Sequence, residues 1–158
     1  MAKDKIKNVF ISHFNKDEDQ INNLKQLLFK SGYILKNSSI DSSRKNKANN
    51  EEYIKSLLRK KLDWAGTTIV LIGPETHTRW WVDWEIEQSN RKGNRIVGVY
   101  INGGSDSDVP ENFNLYGDAL VGWKSDRVID AIEGRLNNMF QPDGMPRERV
   151  WSSARSNC

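Results

Sequence analysis

Cysteine occurs once in the 158 residues, as Cys158 at the end of the sequence. One thiol builds neither a disulfide framework nor a zinc site, and a reducing cytoplasm is the expected setting. A prenylation box is excluded too, since its cysteine stands further from the terminus. Long apolar runs are missing: nothing approaches the roughly 18 apolar residues of a membrane span. The opening Met1-Ala2-Lys3-Asp4-Lys5 has no apolar signal region. Nor is there a strong charge of one sign, the formal net charge being +3. Basic residues gather at Arg44, Lys45 and Lys47, and again at Lys55, Arg59, Lys60 and Lys61. A nucleic-acid footprint is denser and interleaved with exposed aromatics. These clusters read as solvated faces, and neither nucleic acid nor a membrane is expected as a partner.

What is present is a globular composition, 37% hydrophobic and 28% charged, at a length that allows one core and not two. Strands and helices alternate along it. Lys7 to Ser12 reads as a short first strand, followed by a helix with Ile21, Leu24, Leu27 and Leu28 on one face, which Gly32 stops. Tyr33 to Leu35 is a weak second strand. After a polar stretch from Lys36, Asn50 is positioned to cap a helix whose stripe is Tyr53, Ile54, Leu57, Leu58 and Leu62. Thr67 to Ile72 is an unbroken β-rich run, as expected of a strand buried on both faces. Gly73-Pro74 ends it, and a helix runs from about Trp80 to Lys92. Arg95 to Ile101 is the fourth strand, Asn102 to Gly117 reads as a loop, and Ala119 to Val121 is the fifth strand. Val128, Ile129, Ile132, Leu136 and Met139 have the spacing of a last helix. The domain is expected over residues 1–140, and residues 141–158 read as a polar, mobile tail.

Five strands with intervening helices predict an α/β, flavodoxin-like domain with helices on both faces of a parallel sheet. The expected strand order is 2-1-3-4-5, with its switch point between strands 1 and 3. Ligands in such sheets bind outside the carboxyl ends of the strands at that point. The segments leaving those ends are Ser12-His13-Phe14 and Gly73 through Glu85.

In the second segment, if Val82, Ile86 and Ser89 face the sheet, Trp81 and Glu85 lie four apart on an adjoining face. A fixed carboxylate there suits cleavage of an N-glycosidic bond, in which positive charge builds on the sugar ring. An aromatic face suits stacking of a planar nicotinamide. Spacing alone equally allows three tryptophans walling a core and Glu85 as a solvated helix carboxylate.

The segments Val9-Phe10-Ile11-Ser12-His13, Val70-Leu71-Ile72-Gly73, Trp81-Val82-Asp83-Trp84-Glu85-Ile86 and Gly93-Asn94-Arg95-Ile96-Val97-Gly98-Val99 together resemble the TIR-like domain family of the bacterial Thoeris antiphage system. The resemblance runs from about Lys7 to Ile101, with a looser fit through the last helix. It implies a TIR fold and an enzyme that cleaves NAD, with Glu85 catalytic and Trp81 its partner. NAD is then the substrate, with no cofactor, no metal and no protein nucleophile. The implied product is a cyclised or conjugated ADP-ribose signal that activates a separate effector. A phage-derived activator and self-association through TIR–TIR contacts are implied as well.

The resemblance also implies that Ser12, His13 and Phe14 line the NAD pocket, and that Asp41 begins a loop over the cleft. The alternative for His13 is a structural imidazole, and for Asp41 an ordinary loop aspartate. His77 is expected to face solvent, Trp84 to pack or serve an interface, and Trp64 and Trp123 to lie in the core. Val82 stands where many enzymatic relatives have a small residue or cysteine.

The alternative function is a non-catalytic TIR adaptor, which keeps the fold and uses Trp80 and Trp84 for docking. A phosphoacceptor receiver is excluded, because Gly73-Pro74 and Ser12-His13 stand where its acidic residues belong. A nucleoside deoxyribosyltransferase-like enzyme differs chiefly in substrate.

Overall fold

The computed structural model describes residues 5–40 and 51–147. Its five strands are β1 (Lys5–Ser12), β2 (Tyr33–Ser38), β3 (Thr67–Ile72), β4 (Arg95–Tyr100) and β5 (Ala119–Val121). All pair in parallel, in the order β2-β1-β3-β4-β5. This is the flavodoxin-like order, and its reversal lies at β1 between β2 and β3. The helices are α1 (Asp19–Phe29), α2 (Glu51–Ala65), α3 (Trp80–Lys92), α4 (Glu111–Tyr116) and α5 (Ser125–Ile132).

Alternation along the strands divides the core. Val9, Ile11, Ile69, Leu71, Val97 and Val99 pack with α1 and α5. Phe10 packs with α2, while Val70, Ile72, Ile96 and Tyr100 pack with α3 and α4. Both faces of β3 are covered, which is why its six residues are all buried and why its sequence shows no polar alternation. Helix α3 ends at Gly93, whose left-handed backbone (φ 82°) lets its N–H close on the last turn.

The structure corrects several sequence expectations. The stretch Asn102–Gly117 contains helix α4, too short for a periodic signal and held by tertiary contacts. Phe113 is fully buried, in space left by Gly98, where a Cβ would come within 2.7 Å of the Phe113 ring. The Asp83 carboxylate accepts hydrogen bonds from Asn112 N and Nδ2 at 2.9 and 2.8 Å.

Helix α5 stops at Ile132, so Leu136 and Met139 lie beyond it. Gly134 turns the chain with φ 84°, and Met139 instead bridges to Leu120 beside β5. On α2 the buried stripe is Ile54, Leu58, Leu62 and Ala65, while Tyr53 is 52% exposed. The 3.6-residue period moves Tyr53 off a stripe centred on positions four apart. Trp64 is 45% exposed rather than core, at the outer side of the same helix. Trp123 packs on the α1/α5 side of the core.

Residues 141–147 turn back on the domain, with Gln141 N donating to Met145 O and Arg147 N to Met139 O. Arg147 pairs with Asp106. Among the described residues no helix is long and apolar enough to cross a membrane.

Candidate functional site

Alternation at the end of β1 sends Ile11 to the α1/α5 face and Ser12 to the face covered by α3. On α3 the side chains of Val82, Glu85, Ile86 and Ser89 are buried. This i, i+3, i+4, i+7 set is the inward stripe of an amphipathic helix. Glu85 therefore occupies a position that packing alone would assign to an apolar residue, and it is 1% exposed. A carboxylate withdrawn from water is costly unless hydrogen-bonded. Ser12, fully buried, donates Oγ–H to Glu85 Oε1 at 2.7 Å.

Below that contact, a second polar pair attaches the helix to the sheet. Ser89 Oγ donates to Glu85 O at 2.8 Å and lies 2.8 Å from Thr68 Oγ1 on β3. Thr68 stands opposite Phe10 in the β1–β3 register, so the lock lies beside the switch point. Glu85 is thus held through both its side chain and its backbone.

Trp81, one turn earlier, is half-buried and donates Nε1–H to His13 O at 3.3 Å. His13 is buried at 6% exposure, with Nδ1 3.4 Å from Ile11 O. The Phe14 ring lies 6.3 Å from Trp81 at 59°. Trp80 meets Trp81 edge-on at 6.1 Å and stands 59% exposed. Trp84 touches Trp80 on one side and packs against the α2 core on the other. Ser12, His13, Phe14, Trp81 and Glu85 thus converge at the carboxyl edge of β1. Asp41 lies outside the described residues, as does Asn50's expected cap.

The loop from Gly73 to Arg79 joins β3 to α3. Glu75 adopts a left-handed backbone (φ 69°), and its N–H donates to Asp108 Oδ1 at 3.1 Å. Burial opposes ionisation of Asp108, but bonds from the Ser105 and Glu75 N–H groups and the Ser105 hydroxyl outweigh it and hold its carboxyl below the usual range. His77, its side chain 44% exposed, has Nδ1 3.6 Å from Asp108. Arg79 precedes α3 and lays its guanidinium over the Phe14 ring, 3.8 Å from the centroid.

A second acid, Asp17, is buried beside Gly73, where a Cβ would lie 3.0 Å from its Oδ2. Burial pushes its carboxyl up, and nearby Lys16 opposes this only in part. No group of three or more His, Cys, Asp or Glu side chains could hold a metal ion among the described residues.

Chemically, the arrangement offers a fixed carboxylate, an adjacent aromatic edge and a cation at the rim. Of these groups the carboxylate is the one able to stabilise positive charge developing on a bound sugar. Sequence reasoning set Ser89 toward the sheet without giving it a role, and missed Thr68 and Arg79. Two hydroxyls at buried positions were visible as polar interruptions of apolar stripes, whereas nothing distinguished Arg79 from a solvated basic residue.

Residues 10–106 match the family described as Thoeris protein ThsB, TIR-like domain. A curated relative from Bacillus cereus (strain MSX-D12), named "Putative cyclic ADP-D-ribose synthase ThsB1", is 45% identical over 49 residues. That segment is 31% of this chain, and the match spans only 26% of the relative's length. A crystal structure of a 3-dehydroquinate dehydratase-like protein from Bifidobacterium longum superposes with a TM-score of 0.43 at 11% identity. It covers 82% of this chain and 94% of that one, a likeness too slight to carry function. With the family match spanning more than half of its residues, the chain belongs to the TIR-like domain family of the Thoeris protein ThsB.

Proposed function

We propose that the chain cleaves NAD at the nicotinamide–ribose bond and converts the rest into an ADP-ribose-derived signal in antiphage defence. The observation that carries this reading is the burial of Glu85 against Ser12 at the sheet's switch point. A buried acid in an inward helix position costs stability, and such sites are where function opposes packing. The name of the Bacillus cereus relative, "Putative cyclic ADP-D-ribose synthase ThsB1", supports the same substrate class.

In the proposed reaction the bond between ribose C1′ and the nicotinamide nitrogen breaks. Its electron pair neutralises the pyridinium, so nicotinamide leaves without needing a proton. The ribose becomes oxocarbenium-like, and the Glu85 carboxylate stabilises that charge. Trp81 and Phe14 flank the base, and Ser12 orients the acid. Water then attacks C1′ to give ADP-ribose, or an adenine nitrogen or another acceptor attacks to give a cyclic or conjugated product. The proton of the attacking group passes to solvent.

The product would act on a separate effector, with a phage-derived stimulus and self-association of the chain setting the active state. The non-catalytic adaptor reading draws on exposed Trp80, yet it gives the buried Glu85 no task. Incubation with NAD, with and without phage-derived material, followed by mass spectrometry of the nucleotides, tests the proposal. Release of nicotinamide with an ADP-ribose-derived product is expected; intact NAD under both conditions contradicts it.

A further inference from the structure

We infer that Arg79 is the anion subsite of the cleft and takes the diphosphate of the substrate. The inference rests on the NAD reading of the Glu85 site and assigns a chemical group to a residue outside that carboxylate's reach. Arg79 is held but not neutralised. Its one carboxylate neighbour among the described residues, Glu75, is 3.6 Å from Nη2, beyond hydrogen-bond distance. That acid is 62% exposed, so the pair is weak. The Nε atom is buried and has no hydrogen-bond partner among the described residues, which is costly for a charged donor.

What fixes the guanidinium is the face of Phe14, 3.8 Å away. A cation–π contact orients an arginine while leaving the outer edge of its planar fork unused. That fork matches phosphate oxygens two at a time. The placement fits as well. Arg79 is the extended residue just before α3 and stands six positions ahead of Glu85, on the order of 9 Å along the helix axis, a distance that a ribose 5′-phosphate and the arginine side chain together bridge. The Phe14 ring lies against Arg79 and 6.3 Å from the Trp81 ring, which belongs to the residue one turn before Glu85. A dinucleotide with its ribose at Glu85 and its base against these rings brings its diphosphate to Arg79.

The test compares wild type with Arg79→Gln and Arg79→Lys on two substrates and one ligand. NAD carries the diphosphate, nicotinamide riboside has the same scissile bond without phosphate, and ADP-ribose binds without turnover. Losing one charge-assisted bond should lower kcat/KM for NAD about ten- to hundredfold in Arg79→Gln. The rate on nicotinamide riboside should stay within about twofold. Arg79→Lys should fall between, keeping charge but not the fork. Titration calorimetry should show ADP-ribose binding weakened by a similar factor.

Equal losses on both substrates, or ADP-ribose binding unchanged in Arg79→Gln, overturn the subsite. Absence of NAD cleavage by the activated wild type is a different failure. It removes the reading of the Glu85 site, while calorimetry with ADP-ribose still decides the role of Arg79.

Discussion

Ser12 and Glu85 lie 73 residues apart in the chain and meet inside the fold, hydroxyl to carboxylate, at 2.7 Å. One comes from the last residue of β1, the other from the inward stripe of α3. Only the parallel pairing of β1 with β3 brings them together, and the contact ties the fold to the chemistry proposed for it.

Replacing Ser12 with alanine separates orientation from binding. The variant keeps the acid but removes a donor from a buried acceptor, a cost of about 1–3 kcal/mol. We expect kcat for nicotinamide release to fall about ten- to hundredfold, with KM for NAD little changed. A rise in KM at constant kcat would make Ser12 a substrate contact instead.

Gly104 tests the close approach of the loop after β4 to the end of β3. A Cβ there would lie 2.1 Å from the Ile72 carbonyl oxygen, a backbone atom that cannot swing aside. Gly104→Ala should destabilise the fold by about 3 kcal/mol or more, at or above the upper range for overpacking. Gly122→Ala is the control, since its nearest neighbour, Pro142 O, is 3.4 Å away. Urea unfolding of both variants checks the contrast, and equal midpoints would contradict it.

Asp17 predicts a pH-dependent stability. Burial raises its carboxyl above its value in the unfolded chain, about 3.9. A raised folded value means the acid exacts no cost below the unfolded value and an increasing cost as pH rises through the folded one. Asp17→Asn should therefore raise Tm at pH 7, with the gain disappearing below about pH 4. A gain that persisted at low pH would assign the effect to packing.

The fold was legible because its signals were local. The β-rich run at Thr67–Ile72, the helix from Trp80 and the stop at Gly32 needed no tertiary information to be recognised. Helix α4 was not legible: six residues held by Phe113 under Gly98 and by Asn112 on Asp83 are defined by contacts distant in sequence. The overextended last helix failed for a related reason. Leu136 and Met139 keep helical spacing, yet Gly134 breaks the backbone and Met139 joins the edge of β5.

At the site, Glu85 and Trp81 could be singled out by their spacing and family resemblance. The support beneath them could not. Thr68 and Ser89 meet across a helix–sheet contact, and Arg79 acquires its role from a ring 65 positions away in sequence. Hydroxyls and a guanidinium have too many ordinary uses for their identity alone to mark a site.

The most direct measurement is nicotinamide release from NAD by wild type and Glu85→Gln, each activated in the same way. The amide keeps the size of the acid and an oxygen able to accept from Ser12, and replaces the charged carboxylate with a neutral group. If that charge stabilises the departing ribose, release falls about a hundredfold or more while the fold and Tm persist. Release by Glu85→Gln at the wild-type rate would contradict the account.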